Sequence, residues 1–281
     1  MKYLKYFISP ATIMLALFII LQGAHFPTAF LIGFSLFIIL GDYFAKESHS
    51  EETYKFPFFL NLPIYLNLPL LLIFISISIF SLTKESSLLF SGILSDSYIS
   101  KLELIRASFT FIDLFSLIFL SGLFIGIMGT VTGHELVHRT KNKLDMFFGN
   151  WLLAFSWDCT FAIEHVYGHH KNVATAIDPA TGKRGENIYK FIFRAIFIEH
   201  RDAWIIEINR LKLAKKSLFS LSNRMLVGYS RSIFLTFLAF LVGGISGIIS
   251  FLLIAFIAKS LLELINFAEH YGLVRVPGEP V

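Results

Sequence analysis

The feature that most constrains this chain is its long apolar run after Arg231 up to Phe267, broken by glycines at 243, 244 and 247. A helix crossing the hydrocarbon core of a bilayer needs about 20 such residues at ~1.5 Å each. A run of roughly 36 exceeds one ordinary span and reads as a hairpin of two. Four further runs precede it, from about Tyr6 to Gln22, Phe26 to Tyr43, Phe58 to Leu82 and Phe109 to Val131. Gly23, His25 and Pro27 form a turn between the first two, and Pro63 and Pro69 predict a kink near the start of the third. The lysines at positions 2 and 5 imitate a signal peptide, but a second apolar run follows at once and no small-residue cleavage site is present. Composition agrees with a bilayer. Hydrophobic residues make up 55% of the 281 and charged residues 16%, against roughly a quarter charged in soluble domains. The same balance excludes a disordered, collagen-like or disulfide-stapled chain. Cys159 is the single cysteine, so neither an intrachain disulfide nor a Cys-x-x-Cys metal site is available. The expectation is an all-α polytopic membrane protein with about six transmembrane helices and a cytoplasmic histidine-lined cap.

Orientation follows from lysine and arginine near the spans. Residues 139–224 carry 14 of the 24 basic residues and eight acids. That segment is expected in the cytoplasm, together with the N-terminus and, after two more spans, the C-terminal tail. The whole of 1–281 reads as one membrane domain. Residues 1–131 supply four spans, 132–224 a metal-binding segment, and 225–281 two spans and a tail.

The chemical signal lies in the histidines. Six of the nine fall into three groups: His134 and His138 in Thr-Gly-His-Glu-Leu-Val-His-Arg, His165, His169 and His170 in Glu-His-Val-Tyr-Gly-His-His, and His270 in Asn-Phe-Ala-Glu-His-Tyr-Gly-Leu. Residues at i and i+4 share a helix face, so the pairs His134/His138 and His165/His169 can each reach one ion. His170 lies about 100° further round the helix, facing a neighbouring ion. Each group carries an adjacent glutamate, Glu135, Glu164 or Glu269, suited to orienting an imidazole or ligating directly. Ionisable clusters near a membrane are costly and mark function. His25 and His49 are expected to stay out of the site, and the isolated His200 is an improbable ligand.

His134 to His138 also satisfies His-Glu-x-x-His, the zinc protease motif with glutamate as general base. A zinc protease has no use for residues 164–170. Five or six imidazoles exceed one tetrahedral zinc and suggest two ions, and paired iron, unlike zinc, can activate oxygen. The three histidine segments, with Val173-Ala174-Thr175, Asp178-Pro179-Ala180, Ala203-Trp204, Glu207 and Arg210-Leu211, resemble the integral-membrane alkane hydroxylases (alkane monooxygenases) of the membrane fatty acid desaturase-like superfamily. The similarity covers most of the chain, and the Glu-His-Tyr-Gly segment is its most specific part.

The resemblance implies a non-haem di-iron site that uses O2 to hydroxylate a terminal carbon of an alkane or alkyl chain drawn from the bilayer. It implies His134, His138, His165, His169, His170 and His270 as metal ligands, with Glu135, Glu164, Glu269 and Asp178 behind them. It also suggests rubredoxin as the electron donor, since the chain holds no flavin or nicotinamide fingerprint. The setting is a multi-pass membrane protein of the bacterial inner membrane with its histidine segments on the cytoplasmic side, and nucleic acid is not an expected partner. The family carries a further His-x-x-His-His box beyond Glu-His-Tyr-Gly, making nine metal-binding histidines, and residues 1–281 supply six. The sequence is therefore read either as a fragment or as a chain that lost part of its dimetal site, expected to bind fewer than two irons and to hydroxylate alkanes weakly. The alternatives are a fatty acid desaturase or related lipid-modifying di-iron enzyme, a zinc intramembrane protease, and an inactive membrane scaffold.

Overall fold

The computed structural model describes residues 3–44, 54–56 and 58–276, and His49 and the lysine at position 2 lie outside them. The described residues are helical, with no strand among them. In chain order the helices are α1 (Ile8–Ile20), α2 (Phe26–Phe44), α3 (Phe58–Leu82), α4 (Leu88–Ile93), α5 (Asp96–Ala107) and α6 (Phe111–Phe124), then α7 (Thr132–His138), α8 (Lys143–Ala154), α9 (Phe161–Glu164), α10 (His170–Asn172), α11 (Ile188–Leu213) and α12 (Arg224–His270). Two π-helical stretches are inserted, Ile125–Val131 between α6 and α7 and His165–His169 between α9 and α10.

Among the described residues, four helices are long and apolar enough to cross a membrane: α2, α3, the continuous Phe111–His138, and α12. Leu4–Ile20 is a shorter apolar helix. α2 buries Pro27 and Phe34 while Phe37, Ile39 and Leu40 face outward, a pattern that only a lipid surround satisfies. This is an integral membrane protein. α3 runs helical through both of its prolines.

The last apolar run folds back on itself, as its length requires. α12 loses helical geometry at Gly243 (φ −142°, ψ 25°) and Gly244 (φ 59°, ψ −146°). The positive φ at Gly244 is a region that side chains disfavour. Beyond the break the Ala239 carbonyl lies where a Cβ on Gly247 would stand, so the two arms meet backbone to backbone.

The chain forms two compact units. The first, Met1–Phe124 with Thr236–Ile254, packs around aromatic rings, Phe34 and Phe74 lying 5.3 and 4.8 Å from Phe124. Arg106 closes the C-terminal end of α3, donating to the Thr83 carbonyl at 2.9 Å with its guanidinium over the Phe80 ring. The second unit, Ile125–Leu235 with Ala255–Val281, contains all six clustered histidines. There α7 and α8 touch at Gly133 and Gly149, where a Cβ on either would collide with Leu153 or Val137. α11 buries one stripe, Phe191, Ala195, Glu199, Ala203, Glu207 and Leu211. Asn223 caps α12 through bonds from the Met225 and Leu226 amides.

Candidate metal centre

Four imidazoles, those of His134, His138, His165 and His170, offer nitrogens that all lie within 4.8 Å of one another. His165 is central: its Nε2 lies 2.9 Å from His134 Nε2 and 3.1 Å from His170 Nε2. The α7 pair has the expected i, i+4 proximity, with ring centroids 4.6 Å apart. The second segment does not follow that spacing. Its backbone is π-helical, closing bonds from i to i+5, so His165 turns to His170 rather than aiming with His169 at one point.

His169 instead points its Nδ1 at the Asp178 carboxylate, 3.0 Å away, and its ring lies 4.9 Å from that of His270. His270 directs Nδ1 to the Asn266 carbonyl at 3.0 Å. A carboxylate or carbonyl that accepts from Nδ1–H leaves Nε2 with its lone pair free, the tautomer a metal ligand needs. The six histidines therefore form one group of four and an adjoining pair, both within the second unit.

The surroundings of His165 and His170 disfavour their protonated forms. Burial, then the neighbouring imidazoles of His134, His169, His170 and His138, push the His165 pKa well below its usual range. His170 is lowered by burial and by His138 and His169. Burial acts to raise Asp178, but hydrogen bonds from His169, Thr181 and the Ala180 amide hold it below the usual carboxylate range. It is thus the anion that accepts from His169.

The carboxylates predicted beside the histidines divide. Asp178 is bonded to one. Glu135 is exposed and pairs with Arg139 at 2.8 Å, and Glu269 is exposed. Glu164 is buried under Gly168, where a Cβ would stand on its carboxylate. Burial and then Asp178 raise the Glu164 pKa to about 8, so it carries a proton at neutral pH. His200 bonds to the Tyr229 hydroxyl, which also accepts from Trp204 Nε1 at 2.8 Å. His25 is largely exposed, 3.5 Å from Asp113, in the first unit.

Sequence reasoning missed a second polar cluster in this unit. Lys259 Nζ lies 2.8 Å from Asp158, 2.9 Å from Glu199 and 2.8 Å from Glu263, and all four residues are buried. The Glu263 carboxylate also accepts from Asn266 Nδ2 at 3.1 Å, and the Asn266 carbonyl is the group that orients His270.

An all-helical integral membrane protein that gathers imidazoles from three chain segments defines the class of membrane-embedded histidine-box proteins. Comparison with known sequences gives the family. The fatty acid desaturase family model matches residues 113–281, and the chain belongs to that family. Relatives include the alkane 1-monooxygenase 1 of Pseudomonas aeruginosa, 37% identical over 56% of this chain and 41% of its own length. The alkane 1-monooxygenase of Acinetobacter baylyi is 38% identical over 56% and 40%. The xylene/toluene monooxygenase hydroxylase component of Pseudomonas putida is 31% identical over 56% and 42%. The matched part of the chain thus spans about two fifths of the length of these relatives.

Proposed function

We propose that this protein is a membrane non-haem di-iron oxygenase that hydroxylates alkanes or alkyl chains. The observation that carries the reading is the pair of imidazole groups, His134/His138/His165/His170 and His169/His270. The first is crowded nitrogen to nitrogen, as lone pairs aimed at a common cation would be, and the second has Nδ1 engaged and Nε2 available. An all-nitrogen donor set of this size suits iron, and the names of the relatives support alkane and O2 as substrates. Bound iron would supply the oxygen chemistry. The chain's own part is to fix the His169 tautomer through Asp178 and that of His270 through the Asn266 carbonyl, and to present the site beside an apolar substrate. Electrons come from a carrier protein of rubredoxin type, with the histidines on the cytoplasmic side of the inner membrane, next to the basic segment 139–224. The zinc protease reading is not favoured, because Glu135, its general base, is exposed and paired with Arg139.

Metal analysis of protein purified from membranes tests the reading, with His134→Ala/His138→Ala as control and octanol formation from octane measured beside it. Iron that is lost in the control is expected, along with the loss of any octanol formed. Zinc in place of iron, or metal and product unchanged in the control, overturns the proposal.

Gly168 offers a second check. Because a side chain there would displace the Glu164 carboxylate and disturb the turn that aims His165 and His170, Gly168→Ala is expected to weaken metal retention about tenfold, the scale of defects in ligand-orienting groups. Dialysis against graded chelator reads the change.

A further inference from the structure

A cavity of about 390 Å³ opens in the second unit on the side of α9 that leads into His165. Its apolar wall is made by Ala162, Ile163 and Val227, and its polar wall includes Asn150, Arg224 and Arg231. No carboxylate lines it among the described residues. The two arginines differ. Arg224 is already paired, its Nε and terminal nitrogen lying 2.8 and 2.7 Å from the Glu207 carboxylate. Glu207 is shared in turn with Arg210, whose Nε donates at 2.8 Å. The carboxylate is saturated by these two cations and has nothing left for a third.

Arg231 is that third cation. It lies about two turns beyond Arg224 along the apolar α12. It is half-buried and has no hydrogen bond or ion pair among the described residues. It lines the cavity, next to Ser232, which is fully buried and donates to the Ala154 carbonyl, while Ile233 and Phe234 are exposed. An ionised group inside a membrane helix is costly unless paired, and it normally marks a ligand or ion path. A guanidinium offers a planar fork of donors suited to phosphate.

We infer that this cavity is a binding site for a phosphate-bearing anionic amphiphile, with the headgroup phosphate of an anionic phospholipid on Arg231 and its glycerol and upper chain against Ala162, Ile163 and Val227. The half-apolar wall favours the lipid over free phosphate, and the absent counter-carboxylate favours an anion over a zwitterion. The site is separate from the histidine groups and does not depend on metal.

Delipidated protein in detergent, titrated with soluble dihexanoyl phosphatidylglycerol, dihexanoyl phosphatidylcholine and inorganic phosphate, provides the test, with bound adducts counted by native mass spectrometry. The glycerol lipid is expected to bind about tenfold tighter than the choline lipid, the scale of one charge-assisted hydrogen-bonded pair. Arg231→Gln should remove that preference, and Arg184→Gln, at an exposed arginine, should leave it intact. Val227→Phe fills the cavity while keeping the guanidinium and should also lose the lipid, so the result does not hang on one variant's folding. Arg231→Lys, which keeps the charge without the fork, should fall between. Binding of phosphate alone would overturn the lipid assignment. Equal binding of both lipids, or phosphatidylglycerol binding unchanged in Arg231→Gln and Val227→Phe, would overturn the site.

Discussion

His165→Ala is expected to empty the four-histidine group and to remove the iron held there, whereas His25→Ala leaves bound iron unchanged. The central position of His165 gives the reason. Its Nε2 is the atom that approaches both the α7 pair, through His134, and His170. Without it those three rings are left as two partial sets on separate elements, and divalent affinity at nitrogen sites depends on ligand number and fixed geometry. His270→Ala should release the other ion, since it removes one of the two rings at the adjoining pair. His169 and His170 belong to different groups, so replacing both should lower both occupancies. Atomic emission on purified, chelator-washed protein measures this, with circular dichroism to confirm retained helix. Iron retained after the double replacement would sink the two-group assignment.

How much of this was legible in the sequence depends on the range of the forces involved. The apolar runs are local signals, because a bilayer-spanning helix must bury its backbone within one continuous segment, and the helices α2, α3, Phe111–His138 and α12 lie where those runs fall. The break at Gly243–Gly244 was also readable, from length and from the paired glycines. The histidine segments were visible as clusters, but the pairing of their rings was not. The 3.6-residue period places His165 with His169, and the structure joins His165 to His170 because five-residue closure widens the turn. Nothing in Glu-His-Val-Tyr-Gly-His-His announces a π turn except Gly168, whose need for no side chain emerges only once Glu164 lies against it. Asp178 was named only through the family resemblance of its segment, and its bond to His169, nine residues away, came from the structure. Lys259 could not be read, because its partners Asp158 and Glu199 stand 101 and 60 residues away and carry no common periodicity.

That lysine is the basis of the largest stability effect expected in the molecule. One ammonium faces three buried carboxylates, Asp158, Glu199 and Glu263, each within 2.9 Å. Lys259→Met would leave them with no counter-ion in a site that water does not reach, and breaking a buried pair by removing one partner typically costs about 3–5 kcal/mol. Because three acids lose the same partner, the variant is expected not to accumulate as monodisperse protein, or to melt far below the parent. The carboxylates themselves should not respond alike. Burial first, and then the adjacent Glu263, raise the Glu199 pKa well above the ordinary carboxylate range, so of the three acids Glu199 is the one whose surroundings most favour the protonated form. Glu199→Gln, which keeps the shape and a neutral acceptor, is therefore expected to cost under about 1 kcal/mol, the scale of a single neutral hydrogen bond. Asp158→Asn removes a charge that accepts from both Lys259 and the Thr160 hydroxyl, and it should cost several times more. Thermal unfolding of the three variants in one detergent orders them as Lys259→Met, Asp158→Asn, then Glu199→Gln. A Glu199→Gln defect as large as that of Asp158→Asn would mean that Glu199 is ionised and that the lysine balances a different pair of charges.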